Sequence, residues 1–194
     1  MLSKQQQKSK ETKAKIFAAA KTILERDGYE KLSLKNICQE AGVSNGSFYH
    51  HFKTKDDLLS YYIEEQPEAF HTNFAKTDDI QVIKKNIISV YLNYAHYCET
   101  LGVEFMANYY TPKNQSLNPS IRTKRPYPIV TVENYLQKCL DAGVIALPYE
   151  LEQITTDIRM LVIGNVFEWC LKKGQAPFAS NMERSLATYL DGLF

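Results

Sequence analysis

Gly42-Val43-Ser44-Asn45-Gly46-Ser47-Phe48-Tyr49-His50-His51-Phe52-Lys53-Thr54-Lys55-Asp56-Asp57-Leu58-Leu59 is the stretch that decides the fold. Gly42 follows the apolar-periodic run Leu34, Ile37, Cys38, Ala41 and can end that helix in the left-handed conformation that glycine adopts at little cost. Ser44 is placed to accept the first hydrogen bond of the next helix. Two helices joined by so short a turn cross steeply. This is the helix-turn-helix arrangement, in which the second helix projects where it can enter a DNA major groove.

The residues on that second helix agree. Asn45, Gly46 and Ser47 add little bulk at its N-terminus, so the backbone can approach a phosphate or base edge, and free N–H groups there favour an anion. Tyr49 and His50 follow with polar tips. Phe48 and Phe52, four residues apart, fall on one face and pack the helix to its neighbours. Ser33 caps the preceding helix and sets Lys35 and Asn36 in its first turn, where a phosphate can be clamped. Thr54 with Asp57 forms a capping box that puts Lys55 at the start of a fourth helix.

This string, with the preceding Gly28-Tyr29-Glu30-Lys31-Leu32-Ser33-Leu34-Lys35-Asn36-Ile37-Cys38-Gln39-Glu40-Ala41, closely resembles the N-terminal domain of TetR-family transcriptional regulators. The family pattern is met at Gly28, Tyr29, Ile37, Ala41, Gly42, Val43, Ser44, Gly46, Tyr49, His51, Phe52, Lys55, Leu58 and Leu59. Cys38 stands where alanine is usual, Phe48 for leucine and Asp56 for glutamate; each keeps size or charge roughly similar. The resemblance covers the first third of the chain and reaches the rest through architecture alone. It implies an all-α protein of about nine helices: a three-helix DNA-binding domain over 1–53, then an effector-binding and dimerisation domain over 54–194. It also implies contacts to DNA from Ser33, Lys35, Ser44, Asn45, Gly46, Ser47, Tyr49, His50 and Lys55, the last to phosphate.

Charge is distributed in keeping with that division. The chain of 194 residues has a net charge of +1, yet residues 1–60 carry eleven Lys/Arg against seven Asp/Glu and residues 61–194 carry twelve against fifteen. The positive excess lies with the helix-turn-helix, where attraction to phosphate requires it. Composition is that of a soluble globular protein, 44% hydrophobic and 23% charged. No apolar run approaches the roughly eighteen residues needed to span a bilayer. Cys38, Cys98, Cys139 and Cys170 are widely spaced without a C-x-x-C pair and read as reduced, buried thiols of a cytoplasmic protein.

Residues Met1 to about Lys10 are polar and glutamine-rich and read as a disordered start, with a first helix from about Glu11 to Arg26. By the resemblance such an arm touches DNA, here through Lys4, Lys8 and Lys10; otherwise it is a solvated tail. Pro67 kinks or ends the fourth helix. The stretch from Thr111 to Pro128, with Arg122, Lys124 and Arg125, reads as a mobile loop. Ser180 and Glu183 read as a capping box for the last helix.

Two further residue sets follow. Tyr91, Tyr94, Tyr97, Phe105, Met106, Tyr109, Tyr110 and Trp169 can line an aromatic cavity for a flat or apolar effector, although aromatics at helical spacing are more often plain core. The last two helices, with Ile158, Leu161, Gly164, Asn165, Leu186, Tyr189 and Leu190, resemble the pair that forms a four-helix bundle with a two-fold mate in the TetR family; the alternative is ordinary monomer core. No nucleophile–base set, phosphate loop, metal site or cofactor motif is found. Adjacent His50 and His51 point about 100° apart on a helix and cannot share one metal. The sequence thus points to a homodimeric, effector-released repressor on a palindromic operator, the alternative being a helix-turn-helix protein whose body binds a protein partner.

Overall fold

The computed structural model describes residues 3–64, 72, 74–111, 114 and 127–194. Among the described residues there are nine α-helices and no strand, as expected. They are α1 (Lys4–Asp27), α2 (Leu34–Ala41), α3 (Asn45–His51), α4 (Lys55–Glu64), α5 (Ile80–Leu101), α6 (Val103–Tyr109), α7 (Tyr127–Asp141), α8 (Leu151–Leu171) and α9 (Phe178–Asp191), with a 3-10 turn at Tyr29–Lys31. They form two compact units, one carrying α1–α4 as far as Ile63 and the other α5–α9.

In the first unit, the head, α1 packs on α2 and α3. Ile16, Ala19, Ala20 and Ile23 recur at helical spacing and are buried with Ile37 and Cys38 of α2 and Phe48 of α3. Full burial of side chains such as Ile16, Ile37 and Phe48 contributes roughly 1.5–3 kcal/mol each. Phe52, Leu58, Leu59 and Ile63 extend this core along α4. Phe17 and Phe52 both meet the ring of Tyr61 edge-on, at 5.8 and 5.4 Å.

The start of α1 departs from the expected disordered arm. Ser3 and Gln6 form a reciprocal capping box: the Ser3 N–H donates to Gln6 Oε1 at 2.8 Å and the Gln6 N–H to Ser3 Oγ at 3.2 Å. Helix therefore begins at Lys4, because two otherwise unpaired N–H groups are satisfied there.

The second unit, the body, is organised on α5, which packs on α6, α7, α8 and α9. Asp79 caps α5 by accepting from the N–H groups of Gln81 and Val82. Lys84 is buried on α5 and its ammonium lies 2.8 Å from Asp191 at the end of α9. A charge so placed must be paired, since leaving it alone in the core is costly. After α8, Lys173 and Gly174 both turn left-handed. A Cβ on Gly174 would lie 2.9 Å from Val103, so this turn requires glycine.

Two more expectations change. The Ser180–Glu183 box is absent: α9 starts earlier, at Phe178 after Pro177, and Ser180 donates its hydroxyl to the Pro177 carbonyl at 3.2 Å. Pro177 stands at the N-cap with φ −73°, and no side chain caps the helix. Pro67 and the basic residues Arg122, Lys124 and Arg125 lie outside the described residues.

Gly42 closes α2 at φ 64°, ψ 36°. Gly42→Ala should lower the stability of the head by about 1–2 kcal/mol, the cost of a left-handed side-chain-bearing residue, while Gly42→Asn loses less. Urea denaturation of both variants measures this; equal loss would show that conformation is not what the site demands.

Candidate nucleic-acid interface

The turn that presents α3 is closed on both sides. The Val43 N–H donates to the Cys38 carbonyl at 3.0 Å and the Gly42 N–H to the Gln39 carbonyl at 3.3 Å, which uses the last free carbonyls of α2. Ser44 is extended and its Oγ accepts from the Ser47 N–H at 3.1 Å, starting α3. Of the seven residues of α3 only Phe48 is buried. Its ring lies 5.7 Å from that of Phe52, so this side of the helix is fixed in the head core.

The opposite side is free. Ser44, Asn45, Gly46, Tyr49 and His50 are exposed and Ser47 is half-buried. Tyr49 is 56% exposed, a large aromatic where the fold itself needs none. A Cβ built on Gly46 would meet only Ser44 Oγ, at 3.8 Å. The chain's own packing therefore leaves room for a side chain at Gly46. Its absence keeps the backbone open to something outside the chain.

The neighbouring cations are placed by specific contacts. Thr54 Oγ1 accepts from the Asp57 N–H at 3.0 Å, and Asp57 Oδ2 accepts from the N–H groups of Lys53 and Thr54, so the expected capping box sets Lys55 at the first position of α4. The Lys55 ammonium lies 4.1 Å above the ring of Tyr29, a cation–π contact that holds it in place without neutralising it. Ser33 caps α2 as expected, accepting from Asn36, and Lys35 is exposed. Asn36 is used internally, donating to the Lys31 carbonyl at 2.7 Å.

Two acidic groups of the head share one cation. Arg26 donates to Asp27 at 2.9 Å and to Glu40 at 3.0 Å, and its hydrogen bond holds the Asp27 carboxyl below its ordinary range. Burial, with the nearby His50 and Lys13, lowers the pKa of the half-buried His51. His50 shares a shallow polar depression of about 560 Å³ with Ser3, Gln5, Gln6, Ser9 and Lys10. The start of α1 thus joins the α3 surface, as the resemblance implies for the arm, but as helix; Ser3-x-x-Gln6 was the available signal for that helix.

In the body, the aromatic set is mostly packed core. Tyr91, Tyr94, Phe105, Met106, Tyr109 and Trp169 are buried, while Tyr97 and Tyr110 are half-buried. Tyr94 and Tyr110 share a hydroxyl hydrogen bond of 2.6 Å, and Trp169 stacks on Phe178 at 4.8 Å. Among the described residues the buried Tyr91 hydroxyl has no hydrogen-bond partner, and burial raises its pKa.

The association residues divide. Ile158, Leu186 and Leu190 are fully buried in the body's own core, which corrects their expected place at a surface. Their spacing puts them on the inward faces of α8 and α9, which pack on each other. Leu161, Gly164, Asn165 and Tyr189 instead line a shallow groove with Asp157, Met160 and Glu168. Tyr189 donates to Asp157 at 3.0 Å; burial and that hydrogen bond push the phenol up to about 12. Asn165 donates to Ser185 Oγ and to the Leu161 carbonyl, each at 2.9 Å. Met160, Phe167 and Leu171 are 60%, 54% and 62% exposed and continue one apolar stripe with Gly164 along α8.

All four cysteines are free, and burial raises the pKa of each thiol. Among the described residues no three acidic, histidine or cysteine side chains converge as a metal site, and no helix is long and apolar enough to cross a membrane.

Residues 16–62 match the bacterial regulatory proteins of the tetR family. An HTH-type transcriptional regulator of Staphylococcus aureus strain USA300 is 31% identical over 86 residues, 44% of this chain and 46% of that protein. The match thus spans under half the length of the curated relative. The solved structure of FadR from Thermus thermophilus, a TetR family transcriptional repressor in complex with lauroyl-CoA, covers 94% of this chain and 95% of its own at 18% identity and a TM-score of 0.65. The fatty acid degradation regulator FadR from Bacillus halodurans covers 93% and 95%, at 16% identity and a TM-score of 0.64. These likenesses extend the shared fold through the body.

Proposed function

We propose that this chain, a TetR-family transcriptional regulator, works in the cytoplasm as a homodimeric repressor that binds a palindromic operator and leaves it when a small effector binds the body. The observation that carries the DNA part is the α3 surface: a helix capped by Ser44, anchored by Phe48, and bare at Gly46 where its own fold does not require it. In this reading Ser44, Asn45 and Ser47 meet base edges or adjacent phosphates. The Ser44 and Ser33 hydroxyls accept cap hydrogen bonds and keep their own protons to donate. Tyr49, Lys35 and Lys55 meet phosphates, and His50 either.

The apolar stripe on α8 supports a self-associating body. Met160, Gly164, Phe167 and Leu171 expose a continuous apolar face, and a two-fold axis would let the same face bury itself on a second copy. Two heads related by that axis meet major grooves about 34–36 Å apart. The lauroyl-CoA complex of the Thermus thermophilus repressor supports an effector for a body of this fold. An effector acts only through its different affinity for the operator-bound and free conformations. A second reading, a body that pairs with another protein instead of a small molecule, is favoured by the same exposed stripe together with the closely packed aromatic core.

Two measurements test this. Tyr49→Ala with Lys55→Ala should weaken binding to every DNA sequence alike and reduce the slope of log K against log salt by about one, since Lys55 neutralises one phosphate and the uncharged Tyr49 hydroxyl none. An unchanged slope takes Lys55 off the phosphates. A Cβ added at Gly164 meets no atom within 4 Å, so Gly164→Leu should fold normally yet sediment as a monomer. A fully dimeric variant removes Gly164 from the interface.

A further inference from the structure

The exposed face of α8 carries a register of its own. Asp157, Met160, Gly164, Phe167 and Leu171 follow one another at intervals of three, four, three and four residues, the spacing that keeps one side of a helix against a partner helix. Gly164 is the midpoint of this row. Asp157 lies seven residues before it and Leu171 seven after, about 10 Å along the axis in either direction. A Cβ built at Gly164 meets no atom within 4 Å. Two copies of the helix can therefore approach most closely at this residue, with Met160, Phe167 and Leu171, each more than half exposed, covering their counterparts.

The charges at the two ends of the row decide which way round the copies lie. At one end Asp157, half-buried, accepts from Tyr189 at 3.0 Å and has no cation partner among the described residues. At the other, Lys172 reaches back to Glu168 at 2.7 Å, which holds its ammonium beside the row and leaves protons to donate elsewhere. A two-fold axis along the helices would set Asp157 against Asp157 and Lys172 against Lys172. An axis across them at Gly164 makes the helices antiparallel and brings Asp157 level with Leu171 of the second copy, one residue from its Lys172. Opposite charges then meet at both ends of the contact, which favours this arrangement. Helices packed through such a spacing cross at about 20°, so ends about 10 Å from the axis part by only about 4 Å, within reach of a lysine.

We propose that two copies of α8 pair antiparallel across Gly164 and that the Asp157 carboxylate of each takes the Lys172 ammonium of the other. This rests on the homodimer reading above and adds to it the element that chooses the partner. The apolar row gives affinity, while the charged ends admit a second copy of this chain and reject a similar helix whose charges stand elsewhere.

Charge reversal in the full chain tests this. Asp157→Lys and Lys172→Asp should each raise the dissociation constant of the dimer about tenfold, because two opposite pairs become two like ones. Mixed in equal amounts, the two variants should form a heterodimer in preference to either homodimer, since together they restore opposite charges at both ends. The chain carrying both changes should recover most of the loss. Sedimentation gives the constants and native mass spectrometry counts the species. Single variants that dimerise like wild type, or a mixture with only the statistical half of heterodimer, overturn the proposal. A milder pair, Asp157→Asn, which keeps an acceptor for Tyr189, and Lys172→Gln, guards against misfolding. The two residues stand fifteen positions apart on one helix, about 22 Å, so coupling between them in a double-mutant cycle arises across copies; strictly additive losses overturn the pairing. A monomeric wild-type chain refutes the homodimer reading itself, whereas a dimer indifferent to these charges refutes the pairing alone.

Discussion

The burial of Phe48 in the head core is the interaction on which the rest depends. A helix of seven residues is too short to persist in water alone, because nucleation fixes several residues for each hydrogen bond formed. α3 exists because Ser44 and Gly42 close its start and Phe48 and Phe52 pin one side beneath α1. That constraint commits one face inward. Asn45, Gly46, Tyr49 and His50 are left outward, and the chemistry of the head is the chemistry of that outward face.

Charge then acts on a geometry already fixed. Arg26 pairs with both Asp27 and Glu40, and Asp57 spends its carboxylate on backbone N–H groups. Lys55 is held over the ring of Tyr29. These acidic side chains are engaged while Lys35 and Lys55 have no carboxylate partner among the described residues, so a chain of net charge +1 can still present cations to phosphate.

The head was legible in the sequence because its determinants are local. Caps, a left-handed glycine and an i, i+4 aromatic pair each announce themselves within a few residues, and Thr54–Asp57 formed as read. The Ser3–Gln6 box was equally local but sat inside a polar, glutamine-rich run that reads as disorder. The body was less legible because helical periodicity says that a residue is inward without saying what fills the space. Tyr94 and Trp169 proved to be packed against Tyr110 and Phe178, and Ile158, Leu186 and Leu190 serve the subunit's own core. The exposed stripe of Met160, Phe167 and Leu171 shares a helix with that core and separates from it only once the rotation of α8 is known.

The most direct test of the central claim, that the outward face of α3 reads DNA in a two-fold assembly, is selection of bound fragments from a randomised duplex library at low and raised salt. The account predicts recovery at both salts of a few related sequences with inverted half-sites about one helical turn or a multiple of it apart. Recovery that is blind to sequence and vanishes as salt rises would contradict it, since binding would then come from phosphate attraction alone.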